Sequence, residues 1–158
     1  MEHIEAFFRN YWIASAFGGW FVAQILKVFT GFFRTQQFSI RKLLFASGGM
    51  PSSHTAASAA LCTACAMTYG LGSMAFAMSG VLTMIVMIDA TGVRRETGKQ
   101  SRALNQIIEE LFSDSIENFE THFKELIGHS PLQVFFGCVT GILTAVAVYW
   151  LPWISHAI

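Results

Sequence analysis

Residues 48–56 read Gly48-Gly49-Met50-Pro51-Ser52-Ser53-His54-Thr55-Ala56, a short polar stretch between two apolar segments. Pro51 fixes the backbone, and either Ser52 or Ser53 can cap a helix that begins near His54. The first N–H groups of a helix carry partial positive charge, so they can bind an anion such as phosphate. His54 could exchange a proton with that anion. The alternative is a capped membrane helix with its histidine at the interface, and a short motif alone does not decide between the two.

The composition indicates an integral membrane protein. Of the 158 residues, 53% are hydrophobic and only 13% are charged, and the apolar residues form long blocks. The formal net charge is zero, which gives no support to a nucleic-acid partner bound by a basic surface. The three cysteines, at positions 62, 65 and 138, lie in apolar segments, so we interpret them as packing residues.

Four apolar segments predict an all-α polytopic membrane helix bundle that forms one domain over residues 1–158. The predicted transmembrane segments are residues 11–33, 54–69, 73–90 and 131–151. Residues 103–127 have apolar side chains at helical spacing and a mostly acidic polar face. Because an anionic leaflet would repel that face, we expect a helical cap packed beside the site instead of a membrane-surface anchor.

Two further polar residues lie near predicted helix ends. Lys27 lies late in the first segment, where its amine can extend to the interface or point into a polar site within the bundle. His129 precedes Ser130 and Pro131, which suit the cap and the first turn of the last helix. Histidines are therefore predicted at two helix starts.

The predicted topology brings these helix ends to one face of the membrane. With four spans, His54, Asp89, Arg94, Arg95 and His129 all fall on the same side. An excess of Lys and Arg marks the cytoplasmic side of membrane proteins, so we expect this face in the cytoplasm, at the cytoplasmic membrane of a bacterium. Eight of the ten Lys and Arg residues lie on this side: Arg34, Arg41, Lys42, Arg94, Arg95, Lys99, Arg102 and Lys124.

These motifs resemble the type 2 phosphatidic acid phosphatase superfamily, and more closely its divergent branch of small membrane proteins related to vanadium haloperoxidases. The superfamily pattern is Lys-x6-Arg-Pro, Pro-Ser-Gly-His and Ser-Arg-x5-His-x3-Asp. Lys27 and Arg34 have the first spacing, residues 51–54 match the second motif with Ser53 in place of glycine, and His129 is similar to the third histidine. Residues 89–95 look specifically like the divergent branch. The resemblance extends from residue 27 to about residue 141.

Besides Ser53, the sequence departs from the superfamily pattern at other places. Thr35 replaces the proline of the first motif, and Phe123 stands where the third motif has arginine. Gln133 replaces the acid after the histidine, so it can fix the ring tautomer but supplies no negative charge. As substitutes we expect Arg94 or Arg95, brought in from a basic loop after the third segment, for the missing arginine, and Asp89 or Glu125 for the missing acid.

The resemblance implies a lipid phosphate or diphosphate phosphatase that needs neither metal nor cofactor and forms a phosphohistidine. His129 would attack phosphorus, His54 would protonate the leaving alcohol, and Asp89 would supply the negative charge. Gln133 would orient His129. The expected phosphate-binding residues are Lys27, Arg34, Ser52, Ser53, Arg94 and Arg95.

Other functions are compatible with the same residues. A lipid-phosphate binding or scaffold protein without turnover is the main alternative, because Gln133 and Phe123 both depart from the catalytic pattern. A transporter would need a polar path through every span, whereas the second and fourth segments contain no Lys, Arg, Asp or Glu. The expected partners are the bilayer, a lipid phosphate and a second copy in a homodimer.

Overall fold

The computed structural model describes residues 7, 9–35, 49–112 and 129–152, and in these ranges the chain is helical without a strand. The predicted all-α membrane helix bundle is confirmed. The helices, numbered in chain order, are α1 (Tyr11–Thr35), α2 (Ser53–Tyr69), α3 (Met74–Thr91), α4 (Val93–Phe112) and α5 (Pro131–Tyr149).

Among the residues that the structure describes, three apolar stretches are long enough to cross a membrane, where the sequence predicts about four spans. They are Tyr11–Thr30, Met74–Ile108 and Pro131–Tyr149. The 17-residue α2 is not among them, and at 1.5 Å per residue it is about 26 Å long, slightly shorter than the hydrocarbon core. Its alanine, serine and threonine residues instead suit burial, since α1, α3 and α5 all pack against it. α2 is the central helix of the bundle.

Close backbone contacts hold α2 between its neighbours. A Cβ added to Gly19 of α1 would lie 2.8 Å from the Ala56 carbonyl oxygen, and one added to Gly137 of α5 would lie 2.6 Å from the Ser52 carbonyl oxygen. A Cβ on Gly141 would overlap the Ala56 carbonyl oxygen from the α5 side. Only glycine allows such an approach, and the spacing Gly137-x-x-x-Gly141 places both glycines on one face of α5.

Aromatic rings collect at the end of the bundle where α1 begins and α2 and α5 end. The Tyr11 hydroxyl donates a hydrogen bond to the Ala145 carbonyl over 3.0 Å, and the Tyr11 ring packs edge-on against Tyr149 at a centroid distance of 5.4 Å. The Trp12 and Tyr69 rings stack at 5.3 Å. Tyrosine and tryptophan favour the membrane–water interface, so this end of the bundle marks one membrane surface.

α4 begins earlier than the cap predicted at residues 103–127. Gly92 ends α3, and the basic run after it, which we expected to be a loop, already belongs to α4. Glu96 and Lys99 form an ion pair of 2.6 Å one turn apart, a local contact that supports helix here. Leu104 and Ile107, expected to pack on the protein, are about half exposed. The remainder of the predicted cap, residues 113–127, lies outside the described residues.

Candidate functional site

Backbone hydrogen bonds join three helix ends at the end of the bundle opposite the aromatic rings, and a side-chain hydrogen bond attaches a fourth helix there. The Ser52 N–H, at the start of α2, donates to the Gln133 carbonyl of α5 over 3.0 Å. The His129 N–H, just before α5, donates to the Ala90 carbonyl of α3 over 3.0 Å. Lys27 of α1 reaches the same place through Ser53. The convergence of these helix ends agrees with the topology predicted from the sequence.

Lys27 points into the bundle and does not extend to the interface, the other orientation that the sequence allowed. Its side chain is only 7% exposed, and its Nζ donates to the Ser53 hydroxyl over 3.0 Å. Gly49 lies beside the aliphatic part of this lysine with φ of +101°, a conformation that favours glycine. The Thr30 hydroxyl donates to the Met50 carbonyl over 2.7 Å and so attaches the residues before α2 to α1. A buried cation is thus positioned at the start of α2.

The two serines before His54 have different surroundings. Ser52 is the N-cap of α2, and its hydroxyl accepts a hydrogen bond from the Thr55 hydroxyl at 3.0 Å. Because its N–H bonds to Gln133, both its donor and its side-chain oxygen are engaged within the protein. Ser53, the first residue of α2, has its hydroxyl at the Lys27 amine. Its contact with a cation makes Ser53 the better placed of the two to touch a phosphate.

His129 is held in one orientation by Gln133. The Ser130 hydroxyl accepts from the Gln133 N–H, and the Gln133 Oε1 accepts from the Ser130 N–H at 2.8 Å, which forms a capping box. Because a backbone N–H can only donate, the side-chain atom of Gln133 that faces it must be the oxygen. The same Oε1 lies 3.2 Å from His129 Nδ1.

This contact selects the tautomer of the neutral histidine. An oxygen acceptor at Nδ1 requires that Nδ1 carry the hydrogen, which leaves Nε2 with the lone pair. The side chain is only 5% exposed, and the positive end of α5 begins at the next residue. In the neutral tautomer that fits this contact, the lone pair lies on Nε2, next to the start of α5.

The other predicted site residues lie on α1, α2, α3 and α4. His54 lies in the first turn of α2 with an exposed side chain, and Asp89 is half-buried in the last turn of α3. Arg95 is exposed on α4, and none of the hydrogen bonds described at this end of the bundle involves it. The backbones of Arg34 and Arg94 lie in α1 and α4, whereas their side chains are outside the described part of the structure.

Sequence reasoning did not identify Thr30 and Thr55 as parts of this site. Both hydroxyls hold the residues around Ser52 in place. Threonine is common in membrane helices, so neither position carries a signal in the sequence. Gly49 lies in the polar stretch of residues 48–56, and its positive φ is a property of the folded chain that the sequence does not reveal.

Comparison with known proteins agrees with the motifs. A family profile described as the divergent PAP2 family matches residues 8–144. The chain is also 38% identical over 152 residues to a protein of Bacillus subtilis (strain 168) named "Uncharacterized membrane protein YuiD", with coverage of 89% of this chain and 96% of that protein. No solved structure matches. Since the profile covers most of the chain, the protein is an integral membrane protein that belongs to the divergent PAP2 family.

Proposed function

We propose that the protein is a metal-independent lipid phosphate phosphatase that works through a phosphohistidine at His129. The observation that carries this proposal is the His129–Gln133 contact, because it leaves Nε2 with the lone pair beside the positive end of α5. Membership of a phosphatase-related family supports the same chemistry.

The phosphate would bind where α2 and α5 begin. Lys27 supplies a positive charge from the bundle interior, and Ser53 supplies a hydroxyl next to it. Two helix N-termini meet there, and their partial positive charges favour a phosphate dianion. Because Lys27 and His129 are buried, these electrostatic interactions act in a low dielectric and stabilise developing negative charge more strongly than in water.

The reaction would proceed in two displacements. His129 Nε2 forms a bond to phosphorus while the bond from phosphorus to the alcohol oxygen breaks, and protonated His54 gives its proton to that alcohol. A water molecule then attacks the phosphohistidine and gives a proton back to His54, and inorganic phosphate leaves. The exposed side chain of His54 suits exchange with an alcohol and with water.

The substrate would be a phosphate carried by a membrane lipid. Helices of the length and composition found here keep the site within reach of lipid headgroups. Phosphatidate, phosphatidylglycerol phosphate and polyprenyl diphosphate all present a terminal phosphate. We expect the site at the cytoplasmic face because the topology predicted from the sequence puts most Lys and Arg residues on that side.

The test is phosphate release from these three lipids by the purified protein in nanodiscs with a chelator present. Wild type is expected to release phosphate from at least one of them. Brief incubation with the labelled lipid, followed by alkaline denaturation, should also leave acid-labile phosphate on the protein. A lipid-phosphate binder without turnover, which the neutral Gln133 favours as the second candidate, would bind the lipid but form no covalent phosphate.

Lys27→Met is expected to lower kcat/KM for the lipid phosphate by about 10- to 100-fold, because a hydrogen bond to a charged group contributes about 1.5–3 kcal/mol. Lys99→Met is the matched control, since Lys99 is exposed and paired with Glu96. Steady-state kinetics of both variants check the prediction. Equal kcat/KM values for the two variants would show that Lys27 does not bind the phosphate.

A further inference from the structure

An apolar groove runs along the surface of the bundle between α1 and α2. Its volume is about 320 Å³, and it is lined by Ala16, Phe17 and Trp20 of α1 and by Ala57 of α2. It opens away from the bundle axis, since the Phe17 ring is exposed. Its size falls in the range of small-molecule pockets, and its walls have almost no polar surface. A groove of this kind suits a hydrocarbon chain.

The groove lies on the same helix faces as the candidate phosphate site. Ala57 follows Ser53 by four residues and His54 by three, so it lies one turn below both on α2. Trp20 precedes Lys27 by seven residues and Ala16 precedes it by eleven, spacings that return to the same face of α1. Each wall of the groove therefore continues the helix face that carries a predicted phosphate ligand.

The depth of the groove also fits a lipid whose phosphate lies at Lys27. At 1.5 Å per residue, Trp20 lies about 10 Å and Ala16 about 16 Å along α1 from Lys27. One leaflet contributes about 15 Å of hydrocarbon, half of the core thickness. A chain attached to a phosphate at the site would therefore pass along the groove towards the middle of the bilayer.

We infer that this groove binds the hydrocarbon chain of the lipid phosphate whose headgroup lies at Lys27 and Ser53. The inference rests on the proposed function for the position of the phosphate. In addition, the protein would bind the hydrocarbon chain of its substrate and would therefore select lipids over soluble phosphate esters. Binding energy from the chain would then help to hold the phosphate against His129.

A kinetic experiment tests this inference through chain length. Ala57→Phe fills the groove, and it is expected to reduce the ratio of kcat/KM for a long-chain phosphatidate to that for a dibutyryl phosphatidate by about 10-fold or more. Ala77→Phe is the matched control, because Ala77 is an exposed alanine on α3 outside the groove. The same ratio in both variants would overturn the inference.

A binding experiment tests it without catalysis. Trp20 lines the groove, so its fluorescence reports what occupies it. Its contribution is obtained as the difference between wild type and Trp20→Phe. In nanodiscs, phosphatidate with brominated chains is expected to quench this contribution more strongly than brominated phosphatidylcholine. Equal quenching by the two lipids would mean that any lipid fills the groove, and would overturn the inference.

The two experiments separate this inference from the proposed function. Selective quenching by brominated phosphatidate without phosphate release would support the groove and contradict the phosphatase. Phosphate release combined with unselective quenching and an unchanged chain-length ratio in Ala57→Phe would support the phosphatase and contradict lipid binding in the groove.

Discussion

His129→Ala should lower phosphate release from lipid phosphates by at least about 10³-fold, because loss of a nucleophile removes the covalent route altogether. The fold should survive the change. The contacts that place residue 129 use its backbone N–H, and the capping box involves Ser130 and Gln133. The measurement is phosphate release from purified protein in nanodiscs with a chelator, with the unfolding temperature recorded in parallel.

Two further histidine variants make this result specific. His156→Ala is the matched control at the far end of the chain and should keep the wild-type rate. His54→Ala should lose about 10²- to 10⁴-fold with lipid substrates, the usual range for a general acid. An aryl phosphate, whose leaving group needs no proton, should partly restore the first step in His54→Ala, so that acid-labile phosphate accumulates on His129. Turnover by His129→Ala at the wild-type rate would disprove the proposed mechanism.

Gly141→Ala should destabilise the bundle by about 1–3 kcal/mol or more, because the added Cβ would overlap the Ala56 carbonyl oxygen. A backbone atom of a central helix cannot move aside as a flexible side chain can. α2 and α5 must therefore separate, which weakens the packing along both helices. A thiol-reactive dye measures the unfolding temperature, since the buried Cys65 becomes accessible when the bundle opens. A decrease of about 2–12 °C in the unfolding temperature is expected.

Gly72→Ala provides the matched control for this substitution. A Cβ added to Gly72 meets no atom within 4 Å, and the residue lies in the turn between α2 and α3. Its unfolding temperature should equal that of wild type within error. If Gly141→Ala also unfolds at the wild-type temperature, the close approach of α2 and α5 does not contribute to stability.

The sequence was sufficient to predict the helices and the convergence of their ends. Long apolar blocks leave helices as the only way to satisfy the backbone in a bilayer, and the cap residues Ser52 and Ser130 lie at the starts of α2 and α5. Antiparallel neighbours then place the start of one helix beside the end of the next. For this reason Ser52 and His129 could be assigned to the same end of the bundle before the fold was known.

Other features depend on distances that a sequence does not contain. The basic run after Gly92 resembles a loop by charge, but Glu96 and Lys99 stabilise a helix there through a local ion pair. Arg95, predicted to lie in that loop, is an exposed residue of α4 in the structure. The Ser130 N–H identifies the Gln133 atom that faces His129 as the oxygen. This hydrogen bond between Ser130 and Gln133 forms only in the folded helix start, so the sequence alone does not give the orientation of His129.

The ring cluster of Tyr11, Trp12, Tyr69 and Tyr149 has a consequence for the opposite end of the molecule. These rings settle at one membrane surface, and the 19-residue α5 extends about 28 Å from Tyr149 to Pro131. The length of α5 therefore fixes the depth of His129 in the opposite leaflet relative to the rings. A thinner or thicker bilayer would shift the headgroup layer relative to that fixed height. Membrane thickness is thus a physical variable that determines how far His129 lies from the headgroup layer.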